Sequence, residues 1–160
     1  MDMFTNKDQN FIRRLDCDII SISASLEELH DFWARALGIS GPQWRIILVL
    51  ADIDEGNGVS VNAVSKILHV ASSFVTKQSK LLERHGFICR TASCEDGRIV
   101  NMSLTEHTWA RLARLGSQQE ALNKFILADF APHDLEELTS RLGSLKKKLE
   151  RACLKVIADS

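Results

Sequence analysis

The chain of 160 residues has no tyrosine, only two prolines and no long hydrophobic run. Its longest uninterrupted apolar stretch, Ile46 to Ala51, is far too short to cross a bilayer. The opening residues MDMFTNKDQNFIRR lack a basic start followed by an apolar segment, so they do not read as a signal peptide, and a cytoplasmic location without a membrane partner is expected. The four cysteines, Cys17, Cys89, Cys94 and Cys153, contain no CxxC pair, and no histidine stands at zinc-finger spacing. Neither a metal nor another cofactor is expected, and free thiols are the default. The five histidines are scattered and form no set with cysteine or serine, which argues against an enzyme. Internal repeats, low-complexity tracts and a linker long enough to divide the chain are absent too.

What is present is a substantial apolar content, 45%, enough to build a core. The net charge of −1 is unevenly spread. Between Lys66 and Arg98 the six cations Lys66, Lys77, Lys80, Arg84, Arg90 and Arg98 face three anions, Glu83, Glu95 and Asp96. That region is therefore +3, and the rest of the chain is −4. A basic centre between acidic arms is the asymmetry of a local polyanion site.

The hydrophobic period divides the chain into six helices and one hairpin. The first segment, about Asn6 to Leu37, carries Ile12, Leu15, Ile19, Ile22, Leu26, Leu29, Trp33 and Ala36 at alternating spacings of three and four. This is the stripe of a helix that packs on another helix, and Gly38 stops it. A second helix starts at Gly41-Pro42, and its run Trp44 to Ala51 is apolar apart from Arg45, so most of its sides are buried. A turn over Asp54 to Gly58 leads to a third helix that Ser60 caps, with Val59 and Val64 as a hydrophobic staple, ending near His69. After a short break comes a fourth helix, about Ser73 to His85, closed by Gly86. The period then changes to two. Phe87 to Arg90 and Ile99 to Leu104 read as strands joined through the turn signal Glu95-Asp96-Gly97. Thr105 caps a fifth helix running to about Phe130, and Pro132 opens a sixth with Leu135, Leu138, Leu142, Leu145, Leu149, Ala152 and Val156 at the same alternating spacing. Lys146 to Lys148 read as a solvated face. The fold class is thus mainly α with a small β-hairpin wing (α+β), a winged helix-turn-helix.

Two short helices followed by a hairpin suit a reader of duplex DNA, because a helix fits the major groove and its early residues reach base edges. In the fourth helix Ser72, Ser73, Thr76, Lys77 and Lys80 lie on or near one face, while Phe74, Val75, Leu81 and Leu82 can face the core. Arg98 follows the hairpin turn, where an arginine can enter a narrow minor groove. Asp96 is placed to orient it, and Arg90 adds a cation on the first wing strand.

The stretch GPQWRIILVL and the segment from VSVNAVSKIL to NMSLTE resemble the multiple antibiotic resistance regulator (MarR) family. The most telling pieces are Ser73-Phe74-Val75-Thr76-Lys77, Leu82-Glu83-Arg84-His85-Gly86-Phe87-Ile88, Asp96-Gly97-Arg98 and Leu104-Thr105-Glu106. The resemblance implies a winged-helix homodimer whose first and last helices (1–38 and 106–160) form the dimerisation region around a DNA-binding lobe at 39–105. It further implies a repressor of nearby genes that releases a pseudo-palindromic duplex operator when a small ligand binds. By position, Ser73, Thr76 and Lys77 fall at groove contacts, Arg98 at the wing arginine and Asp96 at its partner. The chain departs from the pattern at Gly97, where a second arginine is usual, and at Lys80, where an acidic or neutral residue is commoner.

A ligand pocket implied between lobe and dimer helices would have His30, Trp33, Trp44 and Arg45 nearby. An arginine beside indoles suits a flat aromatic carboxylate. Two other readings stay open. Cys17 stands near the reactive thiol of the family's peroxide-sensing branch, although that branch relies on tyrosines. A helical interaction module without DNA binding is the other; the basic fourth helix and Arg98 separate it from a regulator.

Overall fold

The computed structural model describes residues 6–93 and 96–158, with side chains from residue 9 onward. The chain forms two compact units, residues 1–114 and 115–160.

In the first unit, α1 spans Asn6–Leu37 and α2 spans Gly41–Ile53. A reciprocal cap that the sequence reading missed starts α2: Ser40 Oγ accepts from the Gln43 N–H, and Gln43 Oε1 accepts from the Ser40 N–H. Trp44, Ile46, Ile47 and Leu50 of α2 are fully buried and form the centre of the core, as the apolar run requires. Trp33, Ala34 and Leu37 from the end of α1 join them. Helix α3, Val61–Leu68, begins at Ser60, whose hydroxyl accepts from the Ala63 N–H, and ends at His69 in a left-handed conformation. Helix α4 covers Ser72–Arg84, and Gly86 follows it at a φ of 72°, which a side chain would strain.

The sheet has three strands where the sequence predicted two. A two-residue strand β1, Val59–Ser60, pairs with β3, Val100–Leu104, which also pairs with β2, Ile88–Ala92, all antiparallel. The turn before β1 is fixed by Asp54 Oδ1, which accepts from the N–H groups of Gly56 and Gly58. Gly58 packs so closely on β3 that an added Cβ would sit 2.9 Å from Ser103 Oγ. Only glycine allows that approach at its φ of 73°. On β3, Met102 and Leu104 are buried, as the alternation predicted.

Helix α5 covers Glu106–Ile126 and stops four residues short of the expected Phe130. Its start is pinned to the sheet. Thr105 Oγ1 accepts from the Thr108 N–H, and the buried Thr108 hydroxyl donates to the Phe87 carbonyl at 2.6 Å. Arg111 donates to the Leu37 carbonyl at 2.7 Å and lies over the Phe87 ring at 4.8 Å, tying the end of α1 to the start of β2.

The second unit contains the rest of α5 and α6, Pro132–Ala158. No residue of α6 is buried, and Leu138, Leu142, Leu149 and Val156 of its apolar stripe are exposed. The stripe on α1 behaves alike: Ile12, Ile19, Ile22 and Leu26 are exposed, and burial begins only at Trp33. Among the described residues no single helix is long and apolar enough to cross a membrane.

Candidate nucleic-acid interface

Helix α4 turns Val75, Ser79 and Leu82 inward, all fully buried. At 3.6 residues per turn the opposite face carries Ser73, Lys77, Lys80 and Arg84. All four are exposed, and Thr76 is half-buried beside them. Three cations and a hydroxyl thus point outward from one face, with no acidic residue among them. Arg84 was not singled out in the sequence, although its spacing from Lys77 and Lys80 carried the signal.

Ser72 has a different task from its neighbours. Its hydroxyl donates to Asn62 Oδ1 at 3.0 Å and lies 3.0 Å from Ser65 Oγ, which itself donates to the Asn62 carbonyl. This knot joins the first turn of α4 to the first turn of α3 and sets their crossing. Asn62 was missed from sequence because its partner lies ten residues away.

Arg90 is likewise turned inward. Its side chain is 12% exposed, 3.8 Å from Glu83 Oε2, and its backbone N–H donates to Glu83 Oε1 at 3.2 Å. Glu83 is on α4 and Arg90 on β2, so the pair clasps the wing to the helix. The Arg90 Nε is buried without a hydrogen-bond partner, which raises the cost of losing Glu83.

At the wing tip, Ser93 N–H donates to the Ile99 carbonyl and Ile99 N–H to the Asp96 carbonyl, closing the loop. Cys94 and Glu95, part of the expected turn, lie outside the described residues. Asp96 Oδ1 accepts from the backbone N–H of Arg98 at 2.9 Å rather than from its guanidinium. Asp96 therefore shapes the turn, and the exposed Arg98 guanidinium has no ion-pair partner among the described residues.

The four residues expected around a ligand separate into two pairs. Trp33 and Trp44 are core residues, 7% and 1% exposed, and the Trp44 indole N–H is buried without a partner. His30 and Arg45 instead line an open recess of about 200 Å³ with Glu27, Asp31, Gly41 and Pro42. Arg45 sits 3.3 Å from Glu27 in a pair exposed on both sides. Burial, then the nearby Arg45, holds the His30 imidazole below its ordinary pKa, against opposing pulls from Glu27 and Asp31. Asp31 reaches the start of α2 so closely that a Cβ on Gly41 would collide with its carboxylate. Cys17, Cys89 and Cys153 are free and exposed. Among the described residues no cluster of His, Cys, Asp or Glu is placed to hold a metal ion.

Comparison with known proteins agrees with this architecture. The MarR family model matches residues 39–100. A MarR/EmrR family transcriptional regulator from Acinetobacter sp. ADP1 superposes with a TM-score of 0.70 at 24% identity, over 87% of this chain and 96% of that one. A MarR protein from Peptoclostridium difficile gives 0.71 at 18% identity, over 98% of each chain. A Listeria monocytogenes chain described as a MarR family regulator, complexed with 26mer DNA, gives 0.72 at 21% identity, over 87% of this chain and 91% of that one. No curated protein matches the sequence.

Proposed function

With residues 39–100 matching the MarR family and a winged-helix fold around them, we propose that this chain is a transcription regulator that binds a pseudo-palindromic duplex operator as a homodimer. One observation carries the reading. The outward face of α4, with Lys77, Lys80 and Arg84, is fastened by the Glu83–Arg90 clasp to a wing whose exposed Arg98 has no ion-pair partner among the described residues. Such a unit offers cations to a major groove and, beside it, to a minor groove. Neutralised phosphates release counterions, so binding falls steeply with salt.

The dimer supplies the second half-site. The apolar stripes of α1 and α6, exposed in the single chain, are the surface a partner would cover. Residues 39–105 then act as the DNA-binding lobe, and 1–38 with 106–160 as the dimerisation region. Repression is the expected mode, with a small effector shifting the dimer away from the DNA-competent spacing. We place the effector at the recess beside Arg45. The exposed Glu27–Arg45 pair is worth little, so an incoming aromatic carboxylate can take the arginine.

Two titrations test the reading. Fluorescence anisotropy with random-sequence duplex should show micromolar or tighter binding in dilute salt that collapses as salt rises; no attraction at any salt leaves a helical interaction module instead. Calorimetry with benzoate-type and cinnamate-type acids should show binding by the wild type and loss in Arg45→Ala. No heat and no release from DNA would remove the effector.

A further inference from the structure

By sequence pattern Phe74 can face the core, yet the structure leaves it 38% exposed. It sits in the first turn of α4, between the exposed Ser73 and the buried Val75. Around the helix axis it lies roughly 60° from Lys77 and nearly opposite Glu83, the residue that holds the wing. Phe74 therefore lies on the side of α4 away from the clasp, and the cationic face adjoins it. A large aromatic beside lysines and a serine on an outward helix face is paid for in solvation unless a partner covers it.

We propose that Phe74 is a specificity-determining residue that reads the C5-methyl group of a pyrimidine in the major groove, so that each half-site requires thymine at one position. This rests on the DNA-reading assignment above and deepens it. Thymine alone among the unmodified bases presents an apolar group in the major groove, and a phenyl ring is a chemical match for it. The first turn of a groove-lying helix is the part that reaches base edges. Lys77 and Lys80 hold the phosphates, which carries affinity but no sequence information. Phe74 supplies the missing discrimination through contact and desolvation rather than a hydrogen bond.

The test uses the full-length protein. Preferred duplexes are selected from a random pool, and each thymine is then replaced in turn by 2′-deoxyuridine, which removes only the methyl. Wild type should lose about fourfold in affinity at one position per half-site, the worth of one buried methyl-sized group. Phe74→Ala should bind thymine and uracil duplexes equally there, with an unchanged salt slope and a lowered but still cooperative thermal transition; Phe74→Leu should keep part of the preference. If wild type binds duplex with a steep salt dependence but no uracil substitution matters, the Phe74 assignment is overturned and the regulator reading stands. The assignment also falls if Phe74→Ala weakens binding while the thymine preference persists. If wild type binds no duplex at any salt, both readings fail.

Discussion

At the scale of single residues, the site divides into cations free to meet a phosphate and polar groups already engaged within the protein. Arg98 is of the first kind, exposed and unpaired among the described residues. Arg98→Ala should weaken DNA binding about tenfold and leave the unfolding midpoint unchanged. Unchanged affinity in an anisotropy titration would show that the wing does not touch the duplex. Ser72 and Arg90 are of the second kind. Their residue types resemble those of a DNA contact, and only the fold reveals that Asn62 and Glu83 occupy them. Phe74 shows the same limit in reverse. Phe74 and Val75 lie about 100° apart around the helix, and only Val75 is fully buried.

At the scale of elements, local chemistry was legible and tertiary pairing was not. Ser60 at the start of α3 and Gly86 after α4 act within a few residues, so the sequence announced both ends. Strand β1 is two residues long and exists only because Val59 finds Met102, 43 positions away. The indoles of Trp33 and Trp44 read equally well as core or as pocket lining, until packing placed them inside. The clasp between α4 and β2 makes a prediction of its own. Glu83→Ala strips a partner from the nearly buried Arg90 and should cost about 1–2 kcal/mol in urea unfolding. DNA affinity should fall while the salt slope holds, because every outward cation remains. An affinity equal to wild type would mean that the wing finds its place without the clasp.

At the scale of the whole molecule, the two apolar stripes are the largest departure from what a solitary chain tolerates. The alternating spacing read from the sequence foretold helices that pack on helices, but could not say whether the partner is the same chain or another copy. Leu142, 52% exposed on α6, is a direct probe. An aspartate there would bury a charge in any interface that covers it, at a cost on the order of several kcal/mol. Leu142→Asp should elute as a monomer in light scattering and lose operator binding. A variant that remains dimeric and binds DNA would remove α6 from the interface.

The most direct measurement of the central claim, that α4 and the wing meet the double helix together, is a hydroxyl-radical footprint on a selected duplex. The wild-type protein, as the proposed dimer, should protect two sites about one helical turn apart, each with flanking minor-groove protection. Arg98→Ala should lose the flanks and keep the centres. Flanks that persist in the variant, or protection of a single site, would contradict the account.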